Sequence, residues 1–282
     1  MHLCIVDHSA IRQWFYRQLT VYYLQGELQA LYHWCVQEIH GWTRAQAYAH
    51  NDREVTEQEM EQWNAVVSRL QDKEPVQYIF QKAHFFGVDL FVDRRVLIPR
   101  PETEELVEWV LEMHAEQDLR VLDVGTGSGC IPLALKSQRP TWKVSGMDVS
   151  TEALEVAAHN AQSLGLAVDW MLKAVQNDSW GNDMDVIVSN PPYIPDELRG
   201  TLDQNVEDHE PSIALFAPDK DPFFFFRRIA EVARKSGVKE VYFETHATDQ
   251  EALEQELSQV WDGGMERRKD GAGKERFMRL FR

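Results

Sequence analysis

Apolar positions recur at helical spacing over the first third of the chain. Ile11, Phe15 and Leu19, with Tyr22 or Tyr23 beyond, make one stripe in SAIRQWFYRQLTVYYL. Leu28, Leu31, Cys35 and Ile39 make another in ELQALYHWCVQEIHG, where Gly41 stands ready to end a helix. TEQEMEQWNAVVSRLQ opens with Thr56 and Glu59 at capping-box spacing and puts Met60, Trp63, Val67 and Leu70 on one face. No strand alternation interrupts these stripes. Residues 1–83 are therefore expected to form a small helical bundle whose aromatics fill its core.

From His84 the period changes. HFFGVDLFVDRRVLIP alternates and predicts a β-hairpin linker over 84–100. PETEELVEWVLEMH predicts a helix with Pro101 at its first position, acids in its first turn, and Leu106, Val107, Val110 and Leu111 inward. Strands and helices then alternate. RVLDVG, KVSGMDV, AVDWMLK, DMDVIVSN and VKEVYFET read as strands. CIPLALKSQ, TEALEVAAHNAQSLG and DPFFFFRRIAEVARKSG read as helices, with the four phenylalanines in helix core. This order predicts an α/β domain over 101–282, a mostly parallel sheet with helices on both faces. Its ligands would bind beyond the carboxyl ends of the strands.

Composition limits the partners. The chain has 282 residues, 44% hydrophobic and 27% charged, and its 29 basic and 46 acidic residues give a net charge of −17. Such a field disfavours broad nucleic-acid binding and suits a basic protein partner. Arg94, Arg95 and Arg100 form a local basic cluster, read as a solvated hairpin rather than a docking patch. Cys4, Cys35 and Cys130 are scattered, which fits neither a disulfide framework nor a zinc site. No metal is expected. No segment approaches the roughly 20 apolar residues of a membrane span, so a cytoplasmic protein is expected.

Two motifs carry chemistry. In LDVGTGSGC a buried strand runs into Asp123 and then Gly125, Gly127 and Gly129. Glycines here let a ligand approach the main chain. The spacing is GxGxG rather than the GxGxxG that seats a pyrophosphate, and Asp123 would repel phosphate but accept an ammonium group. Asp148, at the end of the next strand, can accept both hydroxyls of a ribose; Asp148 or Ser150 capping the following helix is the alternative, and the succession of acid, GxGxG, helix, strand and acid favours the ligand. A ribose, a cationic amine and no phosphate describe S-adenosylmethionine. The second motif, VIVSNPPYIP, delivers Asn190 to the same sheet edge. Pro191 and Pro192 remove two N–H donors and leave their carbonyls as acceptors. Asn190 Oδ1 and the Pro191 carbonyl can each accept one N–H of a planar NH2 group, with Tyr193 stacked on its face. An ordinary Asn-Pro turn is the alternative.

DVGTGSG with NPPY resembles class I (Rossmann-like) methyltransferases that act on a planar nitrogen. The segment from Glu74 to Val107, the stretch EDHEPSIALFAPDKDPFFFFRRIA, VYFETHATDQ and the closing RKDGAGKERFMRL are similar to the PrmC/HemK family of protein-(glutamine-N(5)) methyltransferases. The resemblance implies a helical bundle that docks the protein substrate, a hairpin linker and a seven-stranded methyltransferase domain. It implies S-adenosyl-L-methionine as methyl donor and the GGQ glutamine of class 1 peptide chain release factors as acceptor. Carried over by position, Asp123, Gly125, Thr126, Gly127, Ser128, Gly129, Asp148, Val175 and Asn190 would bind the cofactor. Asn190, Pro191, Pro192 and Tyr193 would form the substrate pocket, with Asn190, Pro191 and Tyr193 catalytic. Pro99, Arg100 and Thr103 resemble a family signature near the cofactor. The acid expected beside the adenine is replaced by Ala174, with Val175 next to it. A nucleic-acid amine methyltransferase shares NPPY and would need a basic groove around Asn190. A degenerate domain that only binds is a third reading.

Overall fold

The computed structural model describes residues 7–115, 117–177, 180–218, 221–246 and 250–282. Expectations that touch Cys4, and Ala247 to Asp249 in VYFETHATDQ, lie outside these residues. The chain divides into two compact units. One takes residues up to Gln81 together with Gln204–His209, and the other Lys82–Asp203 with Glu210–Arg282.

The first unit is helical: α1 (His8–Leu19), α2 (Gln25–His40), α3 (Arg44–Ala49), α4 (Glu57–Gln71) and α5 (Val76–Phe80). Helix α2 ends on Gly41 in the left-handed region at φ 69°. Thr56 and Glu59 form the capping box of α4, and Thr43 with Gln46 form a second one on α3. Ile11, Phe15, Leu19, Leu28, Cys35, Trp63, Val67 and Leu70 are buried, and Tyr32 stacks on Trp63 at 5.7 Å. Tyr22 and Tyr23 lie past the end of α1, so they extend no helical stripe; the Tyr23 hydroxyl donates to the Leu70 carbonyl instead.

A polar group sits inside this bundle. His8, His40 and Glu59 bring ligand-type atoms within 4.8 Å of one another, the one such group among the described residues. Arg53 bridges two of them, its Nη1 lying 2.8 Å from Glu59 Oε1 and 3.1 Å from His8 Nε2. Trp42 stacks on His40. Burial, then His8, pushes the His40 imidazole down to about 4, and burial with Arg53 lowers His8. Both rings are therefore neutral at pH 7.

The second unit begins with a hairpin, β1 (Ala83–Phe85) and β2 (Val88–Leu90), shorter than the alternation predicts. Residues 91–100 follow as an irregular strap rather than strand. Then come α6 (Pro101–Met113), β3 (Arg120–Val124), α7 (Cys130–Gln138), β4 (Lys143–Asp148), α8 (Thr151–Leu164), β5 (Asp169–Leu172) and β6 (Val186–Ser189). After these stand α9 (Gln204–Glu207), which belongs to the first unit, and α10 (Ser212–Leu215), α11 (Phe224–Lys235), β7 (Glu240–Glu244), α12 (Gln250–Ser258), β8 (Gly264–Lys269) and β9 (Glu275–Phe281). Pro101 occupies N1 of α6, with Glu102 and Glu104 in its first turn.

The seven strands take the order β5-β4-β3-β6-β7-β9-β8, parallel except for β9, which runs antiparallel to both neighbours. The chain leaves β3 toward one edge and returns at β6 on its other side. Loops after β3 and β6 therefore flank the point where strand order reverses, the place where open α/β sheets bind ligands. Strand β6 is buried at every position, as expected of a central parallel strand. Of the four phenylalanines only Phe226 is fully buried; Phe223, Phe224 and Phe225 pack at the rim of the core.

Gly146, in the middle of β4, is required by close approach. A Cβ there would lie 2.5 Å from Trp170 Cζ3 and 2.7 Å from Thr126 Oγ1. Gly146→Ala should lower stability by about 2 kcal/mol, measured as a shift in denaturation midpoint. For the bundle, a histidine held below its unfolded pKa stabilises the fold above pH 6.5, and that stability is lost as pH falls toward 4. Hydrogen exchange should reveal α2 and α4 losing protection between pH 7 and 5, by about 2 kcal/mol from His40 alone, and His40→Leu should flatten the slope.

Candidate functional site

The ends of β3, β4 and β6 are joined by hydrogen bonds that shape the glycine loop. Gly125 N and Thr126 N donate to the Met147 carbonyl at 2.9 and 3.0 Å, and Ser189 Oγ donates to the Val124 carbonyl at 2.6 Å. Gly125 and Gly127 take φ of 78° and 54°, and a Cβ added at either would meet nothing within 4 Å. The loop thus offers bare backbone to open space. Gly129 serves packing, since its Cβ would lie 2.9 Å from Trp170 Cη2.

Asp148 is fixed from both sides. Its Oδ2 accepts from Gly127 N at 3.0 Å and its Oδ1 from Ser150 N at 2.9 Å. The cap of α8 is Ser150, whose Oγ accepts from Ala153 N. Asp148 is left with lone pairs beside the loop, as a pair of ribose hydroxyls requires.

Asp123 differs. It is 1% exposed, and among the described residues neither carboxylate oxygen has a partner at full hydrogen-bond geometry, the Thr126 hydroxyl being the polar group that acts on it. Burial pushes its carboxyl up to about 7; the Thr126 hydroxyl only partly offsets this, and Asp148 adds to it. An orphaned buried acid next to a glycine loop is an acceptor waiting for a cationic donor. Together with the open backbone at Gly125 and Gly127 and the poised Asp148, it fits the amine and ribose of S-adenosylmethionine.

A cavity of about 340 Å³ opens over these groups. Val124, Gly125, Gly127, Asp148, Val175, Asn190, Pro191 and Pro192 line it. Asp123, Thr126, Ser128 and Gly129 are not among its lining residues, and Tyr193 lines a separate small recess with Phe223, Phe226 and His246. The cavity therefore gathers most of the predicted residues but not the Tyr193 ring. Val175, expected beside the adenine, is buried and on the wall, and Gln176, not Ala174, lines the cavity next to it. Arg228 donates to the Val175 and Gln176 carbonyls and Trp180 Nε1 to Val175, so this corner is braced without an acid.

Two walls escaped the sequence reading. Arg95, Val96 and Leu97 come from the strap before α6, and Pro211, Ile213, Ala214 and Phe216 from the segment around α10. That segment is zipped to the motif exit by Ile194 N to the Leu215 carbonyl and Ala217 N to the Ile194 carbonyl. Glu210 joins both walls: it accepts from Arg100 Nη2 at 2.6 Å and Ile98 N at 3.3 Å. Arg95 is ion-paired with Asp93 and Glu155. Arg95 and Arg100 are thus ion-paired while still about a third exposed, and Arg94 is exposed, so the basic cluster is solvated but at least two of its three members are matched by carboxylates. The only signal for these walls in the sequence was charge complementarity across a separation of 110 residues, which no local pattern carries.

Family models match at residues 10–80, as the PrmC N-terminal domain, and at 103–204, as the methyltransferase small domain. The release factor glutamine methyltransferase of Flavobacterium psychrophilum is 34% identical over 240 residues, covering 83% of this chain and 84% of that protein. Its namesake in Enterococcus faecalis is 35% identical, with 84% and 86% covered, and that of Chlorobaculum tepidum 41% identical, with 73% and 74% covered. Among solved structures, the hMettl16 catalytic domain in complex with a MAT2A 3′UTR hairpin matches with a TM-score of 0.57 at 16% identity, over 82% of this chain and 85% of that one. A methyltransferase from Pyrococcus furiosus matches at 0.51 and 15%, over 76% and 96%. These likenesses establish the methyltransferase fold. With sequence identity of this extent along both units, the chain belongs to the release factor glutamine methyltransferase family.

Proposed function

We propose that the protein transfers a methyl group from S-adenosyl-L-methionine to the side-chain amide nitrogen of the GGQ glutamine in class 1 peptide chain release factors. The observation that carries this reading is the arrangement of Asn190, Pro191 and Pro192 on the same cavity wall as Gly125, Gly127 and Asp148. A flat NH2 group and a nucleoside-bearing cosubstrate are both accommodated there. Among the described residues, the basic side chains lining the cavity are Arg95, which is ion-paired, and Lys173. With the net charge of −17, this supports a protein acceptor over nucleic acid. The helical unit would dock the release factor, in the cytoplasm where translation ends. No helix among the described residues is long and apolar enough to cross a membrane.

The chain's own groups do the following. Asp123 takes the amino group of the cofactor, Asp148 its ribose, and Val175 packs on the adenine. When bound, S-adenosylmethionine supplies an electrophilic sulfonium methyl. Asn190 Oδ1 and the Pro191 carbonyl accept the two N–H groups of the glutamine amide and fix its plane. An amide nitrogen is a poor nucleophile because its lone pair is delocalised. Acceptors aimed at its hydrogens stabilise the positive charge that grows on nitrogen, and fixed orientation supplies much of the remaining rate. Tyr193, whose hydroxyl burial pushes up to about 12, anchors the motif by packing with Phe223 and Phe226.

The test is transfer of labelled methyl to purified release factor, to the factor with its GGQ glutamine replaced, and to total RNA and DNA. Label on the intact factor alone is expected, with Asn190→Ala lowering kcat by about 10³-fold; label on nucleic acid would overturn the reading. Asp123 gives a second, thermodynamic outcome. An acid whose pKa is raised on folding costs stability as pH climbs from its unfolded value toward 7. Asp123→Asn should therefore raise the Tm of the ligand-free protein at pH 8 and weaken S-adenosylmethionine binding at least about tenfold. Unchanged affinity in calorimetry would remove Asp123 from the site.

A further inference from the structure

Behind Asn190 lies a line of buried polar groups with a defined polarity. Asn190 Nδ2 donates to Thr103 Oγ1 at 3.2 Å, and Thr103 Oγ1 donates to Glu244 Oε2 at 2.6 Å. Thr103 and Glu244 are each 2% exposed. Neither lines the cavity.

A hydroxyl has one proton. The Thr103 proton is committed to a carboxylate, which can only accept, so toward Asn190 Thr103 presents a lone pair. The Asn190 amide must then face Thr103 with its NH2 edge. Its oxygen is left for the cavity. Reversing the amide would set two acceptors, Oδ1 and Oγ1, against each other in a buried place.

We propose that Thr103 and Glu244 are positioning residues which set the rotamer of the Asn190 amide, so that its oxygen and not its nitrogen meets the glutamine to be methylated. The inference rests on the reading of Asn190 given above. It gives a role to Thr103 of the IPRPETE segment and to Glu244 of VYFET.

The charge of Glu244 is what gives the line its direction. A protonated Glu244 could donate to Thr103, and Thr103 could then donate to Asn190 Oδ1, the inverse arrangement. Burial raises the Glu244 carboxyl to about 7, against the Thr103 hydrogen bond and Arg276 of β9, which lower it. Glu102 raises it further and Arg100 opposes that. Tyr193 and the Cys130 thiol also feel its charge. The productive polarity needs the ionised form, so kcat should rise with pH through this range.

The experiment measures kcat, cofactor KM and the pH profile of methyl transfer to release factor, at saturating cofactor, for Thr103→Val, Thr103→Ser, Glu244→Gln and Asn190→Ala. Thr103→Val, of nearly equal volume, should lower kcat about 30-fold with cofactor KM within about twofold. Thr103→Ser should return kcat to within about threefold of the parent, and Glu244→Gln should abolish the acid limb of kcat. A Thr103→Val enzyme with parental kcat, an equal loss in Thr103→Ser, or an acid limb that survives Glu244→Gln would overturn the inference while Asn190→Ala stays inactive. Parental activity of Asn190→Ala would instead overturn the reading of Asn190 and the inference with it.

Discussion

Parallel strands end with backbone groups that have no further strand to pair with, and the site depends on how β3, β4 and β6 resolve that need. Met147 lends its carbonyl to two amides of the glycine loop, and Ser189 spends its hydroxyl on the Val124 carbonyl. Asp148 spends one carboxylate oxygen on Gly127 and the other on Ser150. These bonds fix three loops from three strands against one another. Only then can short side chains such as Asp148 and Asn190 face one cavity with little freedom to lose when a ligand arrives.

Three acids are held out of water around that cavity, and the chain treats each differently. Glu210 has a guanidinium, Arg100, at 2.6 Å and joins two walls. Glu244 has a hydroxyl and an arginine nearby. Asp123 has only the Thr126 hydroxyl acting on it, and no partner at full hydrogen-bond geometry among the described residues. A carboxylate buried without a partner costs stability that folding gains nothing from, so its retention points to a partner from outside the chain. On the function proposed above, the ordering from paired to unpaired runs from structural brace, through positioning, to ligand contact.

The sequence was most legible where one physical rule acted alone. CIPLALKSQ forms α7 from its first residue to its last, and the capping box at Thr56 starts α4 as its spacing demands. The glycine loop and Asn190 meet because strand alternation dictates which ends converge. The rules failed where tertiary contact overrode them. Tyr22 and Tyr23 keep the helical period past α1 but follow a turn. Gly129 reads as a ligand glycine and also clears room for Trp170, as Gly146 does. The cavity walls at 95–97 and 211–216 carry no motif, because an apolar lining has no pattern of its own beyond being apolar. Thr103 was visible as part of a signature, but its partner Glu244 reads as an ordinary strand end.

The line from Asn190 through Thr103 to Glu244 spans sequence separations of 87 and 141 residues. Closing such distances is slow, and a chain made from its N-terminus folds what it has so far. The glycine loop can form once β4 is complete, but the asparagine amide has no fixed orientation until β7 has emerged. The nascent protein can therefore assemble the glycine loop well before Asn190 has its orientation, and on the proposed reading activity would wait for the last strands to close the sheet.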